Sequence, residues 1–436
     1  MSRILRLMAL CCAALCSRNT CAQQRVMTID ELFRLADEQS VAIRSFESGA
    51  AAAAEGVRAA RAGRLPDVGV TASASFLGDG RLWNRSYGDG MSVDMPHFGN
   101  NFALEAQQVV YAGGAVRSGI RIAELEQGDA ETALERSRQD TYFLLLGHYL
   151  NLYKIDNRIR VLRENLALTD RVLETMRARR EQGTVLRNDI TRYELQRETL
   201  ALELQRAEDT GSILNHRLVT ALHLPEGTEI RPDTTLVATD VGTLCEDDWQ
   251  DVARDNNLDL RRAQTGIGLS DEAVRLRRSE RLPQVSLMAA DHLDGPITIE
   301  VPVLNNNFNY WYVGVGIRYN IASLFKSGRR IRQAQFNAQR AREAYEQECE
   351  RVDNAVQECY VNLLTAQAEL RTRRKGVELA DENYAVVSNR YANDLALLTD
   401  MIDAGNTKLG ADLALVDARI NLIYDYYMMK YVTHTL

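Results

Sequence analysis

Residues Arg64 to Val68 read RLPDV, and 217 positions later Arg281 to Val285 read RLPQV. The phrase ends a longer match at the same offset, in which Asp30, Ala36, Arg44, Gly49, Glu55, Val57, Arg58 and Arg61 face Asp247, Ala253, Arg261, Gly266, Glu272, Val274, Arg275 and Arg278. A second pair of phrases, RSGIR at Arg117–Arg121 and KSGRR at Lys326–Arg330, stands 209 apart, so a loop between the landmarks is longer in the first copy. Two halves of similar design point to a tandem duplication that can build one composite structure. The expected division is residues 1–22 as an export signal, 23–223 as the first repeat, 224–246 as an equatorial linker and 247–436 as the second repeat.

The export signal rests on Arg3 and Arg6, the short apolar run Leu7–Leu15 and the small-residue site Thr20-Cys21-Ala22. That run is too short to span a bilayer as a helix. A formal charge of −8 and an isoelectric point near 5.5 argue against a nucleic-acid partner. Beyond residue 22 three cysteines remain, an odd number that cannot close a disulfide framework. Cys349 and Cys359, ten residues apart on one expected helix, read as small apolar core residues, and the state of Cys245 is open.

Aromatic content is 7% and prolines number 7, a bias toward long helices. Leu152, Ile155, Ile159, Leu162, Leu166, Thr169, Leu173 and Met176 step by three and four in alternation, which is a heptad seam. The second half carries its own seam, Cys349, Val352, Val356, Cys359, Leu363, Ala366 and Leu370, then Val377, Ala380, Tyr384, Val387 and Tyr391, interrupted by Arg373. A return helix follows, marked by Ile402, Leu409, Leu413, Val416, Ile420, Ile423 and Tyr427. Helices of about 65 residues measure on the order of 100 Å.

Between the helices the period falls to two. Val68–Phe76, Phe102–Tyr111, Val285–Asp291 and Trp311–Ile321 alternate apolar with small or polar residues, at the length of transmembrane β-strands. The loops at 77–100 and 293–309 are rich in Gly, Asn, Asp and aromatic residues, as exposed connections are. Soluble half-buried strands share this alternation, but four strands with open edges cannot stand in lipid alone. A membrane reading therefore requires several protomers to pool their strands.

One further phrase narrows the reading. Residues Arg390–Ala404 read RYANDLALLTDMIDA, and Arg179–Thr191 read RREQGTVLRNDIT, the two copies standing 211 apart. With the duplicated plan of strands and long helices, they resemble the TolC-type outer-membrane efflux proteins over nearly the whole chain. The resemblance implies a mainly α fold with transmembrane β: four strands and long coiled-coil helices per protomer, assembled as a homotrimer with a 12-stranded barrel in outer-membrane lipid and an α-helical tunnel in the periplasm. It implies a passive conduit for efflux or type I secretion, partnered by a periplasmic adaptor (membrane fusion) protein and an inner-membrane RND, ABC or MFS pump. Carried over position by position, the tunnel entrance falls on Asp400, Asp403, Asp189 and Tyr391, and the adaptor-contacting hairpin tips on Gly183, Asp394, Arg180 and Arg390. Asp394 stands at the family's tip glycine, and Ala396 where some members carry an arginine that holds the entrance shut, so the lock here is expected to differ.

A ring of carboxylates in a narrow opening favours cations. Acids just after a helix start also stabilise that helix end, so Asp189, Asp400 and Asp403 carry both readings. No HExxH, Walker, GxSxG or dinucleotide motif occurs, and His216 and His223, seven apart on one expected helix face, lack ligand spacing. No catalytic residue, metal site or cofactor is expected. Two other classes fit parts of the chain: an exported periplasmic coiled-coil adaptor, which ordinarily has one hairpin, and a structural scaffold, which leaves the period-two segments without a role.

Overall fold

The computed structural model describes residues 24–233, 244–300, 303–393 and 395–436. The expected signal at 1–22, Asp394 and most of the segment after Asp233 in the expected linker lie outside them. In chain order the elements are strand β1 (Gln24–Met27), helices α1 (Ile29–Gln39) and α2 (Val41–Ala62), and strands β2 (Asp67–Phe76), β3 (Gly80–Leu82), β4 (Met91–Val93) and β5 (Phe98–Ala112). Helices α3 (Ala115–Glu181) and α4 (Arg187–Ala221) follow, then strand β6 (Glu229–Pro232) and helices α5 (Glu246–Asn256) and α6 (Leu258–Ser279). The chain ends with strands β7 (Gln284–Gly295) and β8 (Phe308–Arg318) and helices α7 (Ile321–Ala392) and α8 (Leu398–Val432). Two compact units cut across the two repeats: one takes residues up to Glu47, Ala133–Leu260 and Glu348–Leu436, the other Ser48–Thr132 and Arg261–Gln347.

The duplication is visible in how the helices start. Thr28 Oγ1 accepts from Glu31 N to cap α1, and at the equivalent position in the second copy Cys245 opens α5, its N–H and Sγ both donating to Asp248. Each first helix then breaks at a buried polar residue. Ser40 Oγ accepts from Ile43 N, and Asn257 Oδ1 accepts from Asp259 N and Leu260 N, so the side chain that ends one helix caps the next.

In the first unit the core gathers Met27, Leu32, Leu146, Tyr149, Leu150, Leu218, Leu222, Ile230, Ile420 and Ile423 from α1, α3, α4, α8 and the parallel pair β1–β6. Tyr149, fully buried, donates to Met27 O at 2.6 Å and accepts from Asp233 N at 3.0 Å, which ties the two short strands to α3. The heptad seam holds: Leu152, Leu162, Thr169, Leu173 and Met176 are buried on α3, as are Val352, Val356, Cys359, Leu363, Ala366, Leu370 and Ala380 on α7. Arg373, the interruption, lies at the surface and bonds Glu369 one turn back. Cys359 is the core residue expected, its thiol pushed up to about 11 by burial; Cys349 is half-buried and Cys245 exposed.

In the second unit β2, β5, β7 and β8 form an antiparallel sheet in the order β2-β5-β7-β8. Register fixes its faces. Val70 pairs Leu104, Leu104 pairs Asp291 and Asp291 pairs Trp311, so one face carries Val68, Val70, Phe102, Leu104, Leu287, Trp311, Val313, Val315 and Ile317. These side chains are exposed, Val70 at 76%, Trp311 at 74% and Val313 at 72%. Asp291, the acid on this face, accepts from Asn309 Nδ2 at 2.7 Å. The opposite face carries Thr71, Ser73, Asn101, Glu105, His292 and Asp294, and His292 stacks on Tyr310 with ring centroids 5.0 Å apart. A sheet that shows an apolar face outward and leaves β2 and β8 unpaired at its edges is not a finished structure in water or in lipid.

Several sequence expectations change in detail. The last strand ends at Arg318, and Ile321 opens α7, because Asn320 O accepts both the N–H and the hydroxyl of Ser323 and turns the chain. The strands Phe102–Tyr111 and Val285–Asp291 extend to Phe98–Ala112 and Gln284–Gly295, pairing through polar residues that blur the alternation. The loop at 77–100 holds the β3–β4 hairpin, closed by Asn84 Oδ1 accepting from Ser86 N and Gly88 N. Within the expected linker the short strand β6 pairs in parallel with β1. His223 does not share a helix face with His216: α4 ends at Ala221 and His223 takes a left-handed conformation, φ +47°, just beyond it.

The turn from β5 to α3 depends on glycine at Gly113 and Gly114, both of positive φ. Gly113 has φ +62°, and a Cβ there would stand 2.7 Å from Leu282 Cβ and 2.9 Å from Ser279 O. Leu282 belongs to the RLPQV phrase, so the first copy's strand end packs onto the second copy's strand start with no room for a side chain.

Candidate functional site at the hairpin ends

Helices α3 and α4 form one antiparallel pair, α7 and α8 the other, and each turns at one copy of the RYANDLALLTDMIDA-type motif. In the first copy α3 ends at Glu181, and Gly183, φ +79°, donates to Arg180 O at 2.9 Å while Thr184 N donates to Arg179 O at 3.1 Å. Such a left-handed residue closing the last helical carbonyls is why glycine occupies this place. In the second copy α7 ends at Ala392, and Leu395 N donates to Arg390 O at 2.8 Å, the bond equivalent to that of Thr184.

Within the first unit the two hairpins are held side by side by an apolar cluster. Leu173, Met176, Ile190, Tyr193 and Leu398 are buried in it, and Val172, Val185, Tyr391 and Ile402 pack against them. Burial drives the Tyr193 phenol well above its ordinary range, with Tyr384 and Tyr391 adding to the effect. Polar contacts frame the cluster: Arg177 meets Glu194 at 2.8 Å within the first hairpin, and Gln196 donates to Asn406 at 2.6 Å between hairpins. Lys408 pairs with Asp381 within the second. Exposed pairs of this kind contribute roughly 0–1 kcal/mol each, so the apolar cluster dominates.

The residues singled out from sequence take distinct places. Asp400 and Asp403 lie three apart on α8, both exposed, Asp400 in its first turn and Asp403 in its second. The Asp400 carboxylate accepts from Leu397 N at 3.0 Å, so it does stabilise the helix end; Leu397 has no polar side chain to reciprocate. Asp403 is exposed beyond this bond. Asp189 sits half-buried in the first turn of α4, and Tyr391 is drawn into the apolar cluster. Arg180, Gly183 and Arg390 are exposed at the turns, and Asp394 lies outside the described residues.

One residue of the motif was not singled out. Arg179 reaches from the end of α3 to the end of α7, where Nη1 donates to the carbonyls of Tyr391 and Ala392, both at 3.5 Å. A cation at the last carbonyls of a helix answers their unpaired lone pairs and the helix dipole. Its place in the repeated RREQG phrase was the available signal, but which carbonyls it meets follows only from packing of the two hairpins.

The family model described as outer membrane efflux protein matches residues 32–215 and 249–424, one block in each repeat. The chain belongs to the outer membrane efflux protein family. Among curated relatives it is 23% identical over 338 residues to the outer membrane efflux protein BepC of Brucella suis biovar 1 (strain 1330), covering 76% of this chain and 71% of that one. Its fold is similar to that of the outer membrane protein VceC of Vibrio cholerae, with TM-score 0.76, 16% identity, and 93% and 95% of the two chains covered. It is similar also to the CmeC outer membrane channel of Campylobacter jejuni, with TM-score 0.74, 15% identity, and 93% and 85% covered. This efflux protein is thus an outer-membrane channel with a duplicated, mainly helical fold and a membrane sheet, and the adaptor and scaffold alternatives are not favoured. No described helix is long and apolar enough to cross a membrane.

Proposed function

We propose that three copies of this chain pool their four-stranded sheets into one twelve-stranded barrel, and that their paired helices line a periplasmic tunnel through which substrates leave the cell. The observation that carries the reading is the sheet β2-β5-β7-β8, whose exposed apolar face fits outer-membrane lipid while both edges stand open. Strands of 10 to 15 residues suffice to cross an outer membrane. The repeats run over 23–223 and 247–436, joined by the linker 224–246.

In this reading the hairpin ends form the tunnel entrance. Asp400 and Asp403, repeated by threefold symmetry, place six carboxylates around a narrow opening and favour cations, with Asp189 and Tyr391 at its rim. Gly183, Arg180, Arg390 and Asp394 form the surface that meets a periplasmic adaptor joined to an inner-membrane RND, ABC or MFS pump. Ala396 leaves no basic side chain to bridge the ring, so closure rests on the apolar cluster around Tyr193 and on backbone contacts. No step needs a nucleophile, metal or cofactor.

Purified protein reconstituted in planar bilayers tests this. A cation-preferring pore whose preference weakens in Asp400→Ala/Asp403→Ala is the expected result. A pore of unchanged selectivity would return the two aspartates to helix stabilisation, and the absence of any pore would overturn the conduit.

A further inference from the structure

The two hairpin turns are built alike but are not used alike. At an offset of 211, α3 ends at Glu181 and α7 at Ala392, and Thr184 N→Arg179 O is matched by Leu395 N→Arg390 O. Arg179 is half-buried, its guanidinium laid on the carbonyls of Tyr391 and Ala392 of the neighbouring hairpin. Its equivalent, Arg390, is exposed. Within one chain the first hairpin has the second beside it, and the second hairpin has no further hairpin to reach.

We infer that Arg390 makes the same contact onto a second copy of this chain: its guanidinium donates to the carbonyls of Arg180 and Glu181 at the end of the next protomer's α3. The inference rests on the trimeric reading above. In a closed ring the hairpins alternate first, second, first, second, so each hairpin leans on the next in one rotational sense, and a contact made from first to second has a near-equivalent from second to first. The chemistry matches. Arg180 O accepts from Gly183 N at 2.9 Å and keeps a second lone pair, and the last carbonyls of α3 carry the negative end of the helix dipole, which suits a cation with several fixed donors.

The two kinds of contact differ in what surrounds them. Inside the chain Arg179 is backed by Tyr391, Leu398 and Ile402 packed on Ile190 and Tyr193. At the equivalent positions of the first hairpin stand Arg180, Arg187 and Thr191, so the seam between copies has no matching apolar cluster. Arg390 is then the specific link across a polar seam, and the entrance parts between copies before it parts within one.

Arg390→Cys combined with Glu181→Cys, treated with a short bifunctional thiol reagent in detergent-extracted full-length protein, should give covalent dimers and trimers on a denaturing gel. Each single variant should give none, which also controls for Cys245. Arg179→Cys with Ala392→Cys should link within one chain only. Particles of trimeric mass in which this control links while the Arg390/Glu181 pair gives no interchain product would overturn the contact. Particles that are not trimeric would overturn the assembly, and with it this contact. An independent check uses resting ionic current in bilayers: Arg390→Ala should raise it severalfold and Arg390→Lys less, and an Arg390→Ala current equal to that of the unaltered protein would also overturn the contact.

Discussion

Arg281 donates from Nε to Ser327 Oγ at 2.7 Å, so the two phrases that recur along the chain, RLPQV and KSGRR, meet in space where β7 begins and α7 has just started. Ser327 is 2% exposed. In the second copy the two phrases thus form one joint between strand and long helix.

Ser327→Ala removes that acceptor and leaves a half-buried guanidinium short of a partner. A charged hydrogen bond of this kind contributes about 1.5–3 kcal/mol. The variant should assemble but unfold at lower temperature in detergent, whereas Ser323→Ala, at an exposed turn, should change the midpoint less.

Asp400 holds the start of α8 through Leu397 N and, in the proposed function, also lines the tunnel entrance, and one substitution separates the two. Asp400→Asn keeps an oxygen to accept from Leu397 N and removes the charge, so the reversal potential in a salt gradient should shift toward weaker cation preference while the thermal midpoint hardly moves. Asp400→Ala should move both.

Asp156 lines a cleft of about 750 Å³ between α3, α4 and β6, with Tyr153, Arg163, Glu229 and Arg231. Solvent reaches part of its side chain, yet desolvation in the cleft pushes its carboxyl up to about 6, against Arg231 and with Glu229. The folded protein therefore holds this proton more tightly than the unfolded chain. Stability from this group is greatest at low pH and is lost as pH rises from about 4 to about 6. Asp156→Asn should raise stability at pH 7.5 by on the order of 1 kcal/mol, discounted for solvent screening, and leave it unchanged at pH 4. Thermal midpoints at the two pH values check the sign.

His434 behaves in the opposite sense. Burial, and then Arg136, hold its imidazole down at about 4. Unfolding releases a group that takes up a proton near 6.5, so stability is fully present above that pH and falls away toward 4. His434→Asn, which tolerates the left-handed backbone at φ +54°, should flatten the stability profile between pH 6.5 and 4. An unchanged profile would place the acid sensitivity elsewhere.

The sequence by itself determined the element types, the duplication and the family. Heptad seams such as Leu152–Met176 and dyads such as Val68–Phe76 are local patterns, because a side chain's face follows from its spacing along one helix or strand. Gly183 was placed at a hairpin tip by the family resemblance, and its left-handed backbone came with the structure. Only the tertiary structure decided which elements meet: that β5 lies between β2 and β7, that β6 pairs with β1, that Tyr391 is drawn into the cluster around Tyr193, and that Arg179 caps the neighbouring hairpin. Apart from the β2–β5 pairing, these contacts join residues roughly 200 positions apart, and nothing in the spacing of either partner encodes the other. They exist because two copies of one amphipathic design must bury their apolar faces against each other, and the geometry of that burial selects which carbonyl an arginine finds.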